Sequence, residues 1–199
     1  CRSCPARSNP RRLGAFKMAT NVTVARRHLT LVMDIVDIEG MTSANPCVVT
    51  WTNHGLATGD LVSFSGITQT GWTALNGNSY PVTVLTANTF SIPFNSSGLS
   101  AYLPATDPGK VGHDFSLDRF GWSVLKLTSV DFYPSAANDL LVVRDESGTG
   151  PVTFARRDTT GGGFHHSVGG EPLGRKPYIK ASDLVLTTPS QARIFLEFD

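Results

Sequence analysis

Apolar and polar positions alternate along much of this chain, and the alternation predicts β-strands. Near the N-terminus, one face of an extended segment would carry Leu29, Leu31, Met33 and Ile35. At the C-terminal end, one face would carry Ile194, Leu196 and Phe198. Because successive side chains of a strand point to opposite faces, this period of two is typical of half-buried strands.

Short apolar runs between turn residues predict further strands, together with the C-terminal strand just described. They lie at residues 47–52, 61–65, 80–85, 89–93, 122–132, 139–144, 152–156, 178–186 and 192–198. Glycine and asparagine separate many of the runs, as at Asn76-Gly77, and this is a hairpin signal. Helical turns are expected only near residues 71–75 and 134–138. The pattern therefore predicts an all-β protein.

Changes in amino-acid composition along the chain predict its domain organisation. A Pro/Gly-rich bridge at residues 103–112 divides two blocks of strands. We expect a jelly-roll-like β-sandwich from residues 21–37 and 108–199, with a small β-barrel module, residues 38–107, inserted into it. Insertions are tolerated best at exposed turns, and Glu39-Gly40 and the bridge would provide them.

Residues 1–20 differ from the rest and form a predicted extended, basic N-terminal arm. The arm has two prolines, almost no strand pattern and five basic residues, which are Arg2, Arg7, Arg11, Arg12 and Lys17. We interpret these five as a subunit-contact arm. The tripeptide Met18-Ala19-Thr20 resembles a translation start, which leaves open whether residues 1–17 belong to the native product.

Composition excludes several classes of partner. The net charge is +1, so the chain as a whole has no bias towards nucleic acid or an anionic membrane. The arginines of the arm could neutralise phosphates, but no stacking aromatics lie between them, and contact with protein subunits is favoured. No apolar run is long enough for a membrane-spanning helix. Three cysteines are an odd, low count that fits a reducing compartment.

Candidate chemistry is sparse, and we predict no catalytic residue, no metal site and no cofactor. Cys1 and Cys4 have the spacing of a zinc half-site but lack a second pair. His54 has no nucleophile motif beside it and is interpreted as part of a turn. His165 and His166 fall in a Gly-rich stretch, residues 159–174, that is predicted to be an exposed loop. They could bind a metal at a trimer axis or sense pH, but solvent exposure is the favoured interpretation.

Some aromatic and acidic residues are candidates for roles at the surface. Trp72 follows an apparent turn at Thr70-Gly71 and is the candidate for an exposed aromatic anchor on the surface. Seven aromatics of the second block are assigned to the core: Phe115, Phe120, Trp122, Phe132, Tyr133, Phe154 and Tyr178. Asp34, Asp37 and Glu39 are expected to keep an edge strand soluble, because carboxylates three apart on a strand face opposite sides.

The stretch from residue 35 to 102 resembles a known module. Its matching features are Asn53-His54-Gly55-Leu56, Gly59-Asp60 before Val62, Gly66-Ile67, Leu75-Asn76-Gly77 and Thr86-Ala87-Asn88-Thr89-Phe90. This order is similar to that of a small β module of tailed-phage virion proteins. That module is related in fold to the first-catalytic-cysteine half-domain of ubiquitin-activating enzymes. No ubiquitin chemistry is implied, because Cys47 falls inside an apparent strand and is expected to be an inert buried thiol.

The second block resembles small jelly-roll-like phage virion proteins more loosely. The similarity lies in residues 122–127, 132–139 and 192–198. Together the resemblances imply a non-catalytic virion protein, assembled in the host cytoplasm. We expect a capsid decoration or cement protein that binds the major capsid protein or other virion proteins. We also expect a homo-oligomer, and we take a trimer by analogy with shell-decorating proteins.

Two alternatives stay open at this point. The first is a tail, collar, baseplate or fibre component, because similar modules decorate fibres and spikes. The second is a carbohydrate-binding β-sandwich, which would need an exposed aromatic platform, and Trp72 is the residue that suggests one.

Overall fold

The computed structural model describes residues 20–25, 28–116, 127–133, 137–145, 147–167, 177–184 and 191–198. In this part of the chain the fold is all-β, and that prediction is confirmed. Two single-turn 3₁₀ helices, Trp72–Leu75 and Ala181–Asp183, are the only helical segments within these ranges. None of the helices in them has the length and apolar character needed to cross a bilayer. The five basic residues of the predicted arm lie outside the described residues.

Sixteen strands make up the described fold. They are β1 Thr20–Ala25, β2 His28–Asp37, β3 Gly40–Met41, β4 Cys47–Thr50, β5 Leu61–Ser65, β6 Ser79–Pro81, β7 Thr83–Val84, β8 Thr89–Ile92, β9 Lys110–His113, β10 Phe115–Ser116, β11 Leu127–Tyr133, β12 Leu140–Asp145, β13 Val152–Arg157, β14 Phe164–Ser167, β15 Pro177–Ile179 and β16 Gln191–Phe198. All pairs between them are antiparallel.

The long strand β2 connects the two parts of the molecule. Its first residues pair with β1 and β16, with Leu31 opposite Ile194, and its last residues pair with β9, with Ile35 opposite Gly112. The resulting sheet has the order β14-β11-β16-β2-β9-β5-β6, with β1 attached to β2. One backbone ladder therefore runs from the second block into the inserted module.

Two sheets enclose the module. One is the β2-β9-β5-β6 end of the large sheet, and the other has the order β3-β4-β8-β7. The chain bends from one sheet into the other at Ile38, between β2 and β3, and at Val82, between β6 and β7. No described sheet closes into a barrel through its hydrogen bonds, so the expected small barrel is corrected to two sheets around one core. The module boundaries at residues 38 and 107 stay a prediction.

Apolar side chains from both sheets form the core of the module. Period-two alternation is clear on β4, where Cys47 and Val49 have no exposed surface and Val48 and Thr50 are partly exposed. The largest fully buried side chains of the cluster are Trp72, Phe64, Phe90, Leu75 and Ile92. The cluster also includes Val111 of β9. Burial of this apolar surface is the main favourable contribution to folding of the module.

The second block has its own buried residues. A four-stranded sheet, with the order β10-β15-β12-β13, contributes Leu141, Val143 and Ile179. Strands of the large sheet contribute Phe132 and Ile194, which lie opposite each other in the β11–β16 pair. This arrangement is consistent with the predicted β-sandwich.

Phe90 provides a test of this core. Phe90→Ala should lower the free energy of unfolding by about 3–5 kcal/mol, because it removes a fully buried ring and leaves a cavity. Leu85→Ala, at a side chain that is 52% exposed on the neighbouring turn, should change it by less than about 0.5 kcal/mol. Urea denaturation followed by circular dichroism measures both, and equal losses would contradict the assigned core.

Candidate functional site

His54 is a structural residue of a tight turn. It is buried, the backbone N–H of Leu56 donates to its Nδ1 at 3.0 Å, and its Nε2 lies 2.9 Å from the carbonyl oxygen of Thr86. Because Nδ1 accepts, Nε2 carries the proton and donates to that carbonyl. The ring edge also contacts Phe90, with centroids 5.4 Å apart. Both ring nitrogens are therefore occupied in bracing the backbone.

The other positions of the module signature brace turns in the same way. Gly55 has a φ of 61°, in the left-handed region that glycine tolerates. Asp60 Oδ2 accepts from the backbone N–H of Ala57 at 2.9 Å. The side-chain amide of Asn76 spans Ile67, accepting from its N–H at 3.0 Å and donating to its carbonyl at 2.8 Å. The signature thus specifies turn geometry.

Trp72 does not form a surface anchor, and this expectation is wrong. Its side chain has no exposed surface, and its indole Nε1 donates to the carbonyl oxygen of Ser100 at 3.0 Å. The ring also packs edge-on against Tyr102, with centroids 5.6 Å apart. A tryptophan can be buried fully when its N–H finds an acceptor, and the chain near residue 100 provides one.

The histidine doublet lies on a strand, which corrects the predicted long loop. Residues 158–163 connect β13 to β14, and β14 then places His165 opposite Asp131 and His166 opposite Val130 of β11. His165 Nδ1 is hydrogen-bonded to Asp131 Oδ1. Within the described ranges, no three His, Cys, Asp or Glu side chains are grouped so that they could hold a metal ion. Cys1 and Cys4 lie outside those ranges.

Burial differs among the aromatics assigned to the core of the second block. Phe115, Phe132 and Tyr178 are buried as expected. Phe154 is partly exposed, and Tyr133 is 51% exposed and does not belong to the core. Phe120 and Trp122 lie outside the described residues. Asp37 and Glu39 are exposed, as expected of edge carboxylates, and bond to Lys110 and Thr52 respectively.

A buried cluster of polar groups is centred on Asp114, and we call it the Asp114 junction. The carboxylate is 4% exposed and accepts four hydrogen bonds. The donors, with distances, are Ser63 Oγ at 2.6 Å, Ser79 Oγ at 2.6 Å, Tyr178 OH at 2.7 Å and the backbone N–H of Ala181 at 2.8 Å. Ser63 and Ser79 lie in the predicted module, whereas Asp114, Tyr178 and Ala181 lie in the predicted second block. The junction therefore crosses between the two parts.

The segment from residue 178 to 183, which we call the strap, adds further bonds across the same boundary. The backbone N–H of Ser182 donates to Ser63 Oγ at 2.8 Å. The Lys180 side chain is buried, and its Nζ donates to the carbonyl oxygens of Gly77 in the module and Gly148 in the second block. Asp183 is held in turn by Arg144, with Nε 2.6 Å from Oδ2. Every one of these contacts fixes the strap in place.

An open cleft of about 390 Å³ lies beside the junction. Its lining residues are Thr58, Gly59, Asp60, Leu61, His113, Asp114 and Ser116. His113 and Asp60 are both buried in its wall, with Nε2 and Oδ2 3.5 Å apart. The lining offers hydroxyl, imidazole and carboxylate groups, and could therefore hydrogen-bond a small polar ligand.

Sequence reasoning did not identify the junction. Its side chains come from positions 63, 79, 114 and 178, and no local spacing relates them. One signal was available, because Asp114 interrupts the apolar pattern around β9 and β10, and a carboxylate in a buried segment needs partners. That signal predicts a buried polar cluster but does not identify the donors.

The comparison with known families supports the module resemblance. Residues 45–105 match the model described as the ubiquitin-activating enzyme E1 FCCH domain. The match spans under a third of the chain and includes the signature residues His54, Asp60 and Asn76. No curated protein sequence matches the chain significantly. This stretch is therefore similar to an FCCH domain, and the similarity concerns that module alone.

Cys47, the cysteine inside the matched stretch, should be unreactive in the folded protein. It is fully buried, and burial raises the pKa of its thiol, so the reactive thiolate is disfavoured. Alkylation of the Cys47 peptide by iodoacetamide at pH 7, followed by mass spectrometry, should be at least about 100-fold slower than in the urea-unfolded chain. Comparable rates in the two states would contradict this assignment.

Tyr178 should make stability fall in alkali. Burial, and then the charge of Asp114, raise the pKa of Tyr178 above its usual value. The folded state therefore keeps the phenol proton after the unfolded chain has lost it, and stability falls above about pH 10, by up to about 1.4 kcal/mol per pH unit. Tyr178→Phe loses the part of this dependence that Tyr178 contributes.

Urea denaturation of both proteins between pH 8 and pH 11 provides the measurement. The stability advantage of the wild type over Tyr178→Phe should shrink as the pH rises above about 10. Tyr102, whose pKa burial raises to about 12, is present in both proteins and cancels in the difference. A difference that stays constant over this range would exclude Tyr178 as the titrating group.

Proposed function

We propose that this chain is a structural protein of a tailed-phage virion, acting as a capsid decoration or cement protein. The proposal rests on one observation: the histidine, aspartate and asparagine of the module signature have structural roles in the turns of the module. His54, Asp60 and Asn76 all bind backbone groups of their own module. These side chains build a scaffold, and a scaffold is what a protein acting by surface contact requires.

The proposed mechanism is multivalent contact. A cement protein strengthens a shell by burying surface across the joints between capsid subunits, and many weak contacts add when the copies are linked through the shell. The proposed partners are the major capsid protein or other virion proteins, and further copies of this chain in a homo-oligomer, for which we propose a trimer. The proposed location is the virion, with assembly in the host cytoplasm.

The alternative proposal is a tail, collar, baseplate or fibre component, because the module resembles those expected on fibres and spikes. A carbohydrate-binding function is not carried forward, because the residue that suggested it, Trp72, is buried and cannot serve as a sugar platform. Capsid and tail positions differ in symmetry and hence in copy number.

Copy number in purified particles tests the proposal. Quantitative mass spectrometry of particles of the encoding virus, calibrated against the major capsid protein, should find on the order of hundreds of copies per particle. About six or twelve copies would assign the chain to the tail or collar instead. Complete absence from purified particles would refute a virion function in either position.

The same particles provide a control for adventitious adsorption. A salt wash removes protein that is held only by exposed charges, because screening weakens such contacts. A specific component should stay at an unchanged copy number, and decorated shells should melt at a higher temperature than shells that lack the protein.

A further inference from the structure

We propose that the strap, residues 178–183, locks the orientation of the inserted module against the second block, with Asp114 as its central positioning residue. In this proposal the module is a separately packed unit that can rotate about its chain connections when the lock is removed. The inference holds whether or not the protein belongs to a virion, because it rests only on contacts within the chain.

The first argument is the independence of the module core. The apolar cluster that contains Trp72, Phe64 and Phe90 draws its members from residues 36–111. The polar contacts of the module also lie within or beside it, since Asp107 accepts hydrogen bonds from the backbone N–H groups of Thr68, Gln69 and Gly109. The packing and polar contacts that define the module are therefore complete without the strap.

The second argument is where the strap binds. Its bonds to the module end on Ser63 of β5, on Gly77 of the β5–β6 connection and, through Asp114, on Ser79 of β6. The chain passes between the two parts through β2 and β9, which pair with each other at Ile35 and Gly112. In the sheet order, β5 and β6 lie beyond the β2–β9 pair. Contacts on β5 and β6 therefore restrain rotation of the module about that pair.

The third argument is the chemistry of Asp114. A buried carboxylate is costly unless donors surround it, and here three hydroxyls and one backbone N–H do so. An asparagine keeps the size of the side chain but offers one acceptor oxygen in place of two. Its amide nitrogen would face two of the present donors, and the charge that strengthens all four bonds would be lost.

Asp114→Asn in the full chain tests the lock. Hydrogen exchange followed by mass spectrometry should show the amides of Ala181 and Ser182 exchanging about tenfold faster. Amides of the β4–β8 pair inside the module should stay within about twofold of the wild type. Unchanged exchange at Ala181 and Ser182, or a uniform increase across the chain, would overturn the proposal.

Asp107→Asn is the matched control. It also replaces a buried carboxylate that accepts several hydrogen bonds, but all of its partners lie within or beside the module. It should accelerate exchange at Thr68 and Gln69 and leave Ala181 and Ser182 unchanged. The same exchange pattern in both variants would mean that Asp114 contributes only general stability, and would contradict a lock.

Residual dipolar couplings measure the orientation itself. In the wild type, backbone couplings from the module and from the second block should fit one alignment tensor, and in Asp114→Asn they should require two. One shared tensor in the variant would overturn the proposal. If Asp114→Asn does not fold, Tyr178→Phe can replace it, because it removes a single donor of the junction. The same comparison of alignment tensors then applies, with a smaller expected difference between the two tensors.

Discussion

A carboxylate taken out of water must replace its hydration with donors from the protein, and this requirement shapes the centre of the molecule. Asp114 meets it with donors from β5, β6, β15 and the 3₁₀ turn at Ala181. None of these four donors could move away without leaving a buried charge short of partners. The position of the module and that of the strap are therefore coupled through one side chain.

Within the module the same principle operates over shorter distances. His54, Asp60, Asn76 and Asp107 each satisfy backbone groups that would otherwise lack partners in tight turns. Turns that leave a sheet have N–H and carbonyl groups without partners in the sheet. Short polar side chains can hydrogen-bond to these groups because they lie close to them along the chain. Residue types that often perform catalysis are used here to hold the backbone, so the FCCH-like signature is a signature of turn geometry.

Much of the fold was predictable because strand period and turn chemistry are local properties. The alternation at β4 and β16 and the glycine at Gly55 could be interpreted from neighbouring residues alone. What could not be predicted depends on distant partners. Trp72 is buried because a carbonyl 28 positions away accepts its N–H, and His165 lies on a strand because β11 pairs with it. The Asp114 junction joins residues up to 118 positions apart, between Ser63 and Ala181.

Resemblance and geometry contribute different parts of the functional argument. The family match covers residues 45–105 and concerns the module alone. The junction lies largely beyond that range, at Asp114 and Tyr178, so the way the module is attached is a property of this chain. A protein that acts by contact depends on the angle at which its surfaces are presented, because a small rotation separates groups that must meet at the same time. A buried, fully bonded carboxylate at the attachment point fixes that angle more firmly than exposed ion pairs could, since water and salt weaken the latter.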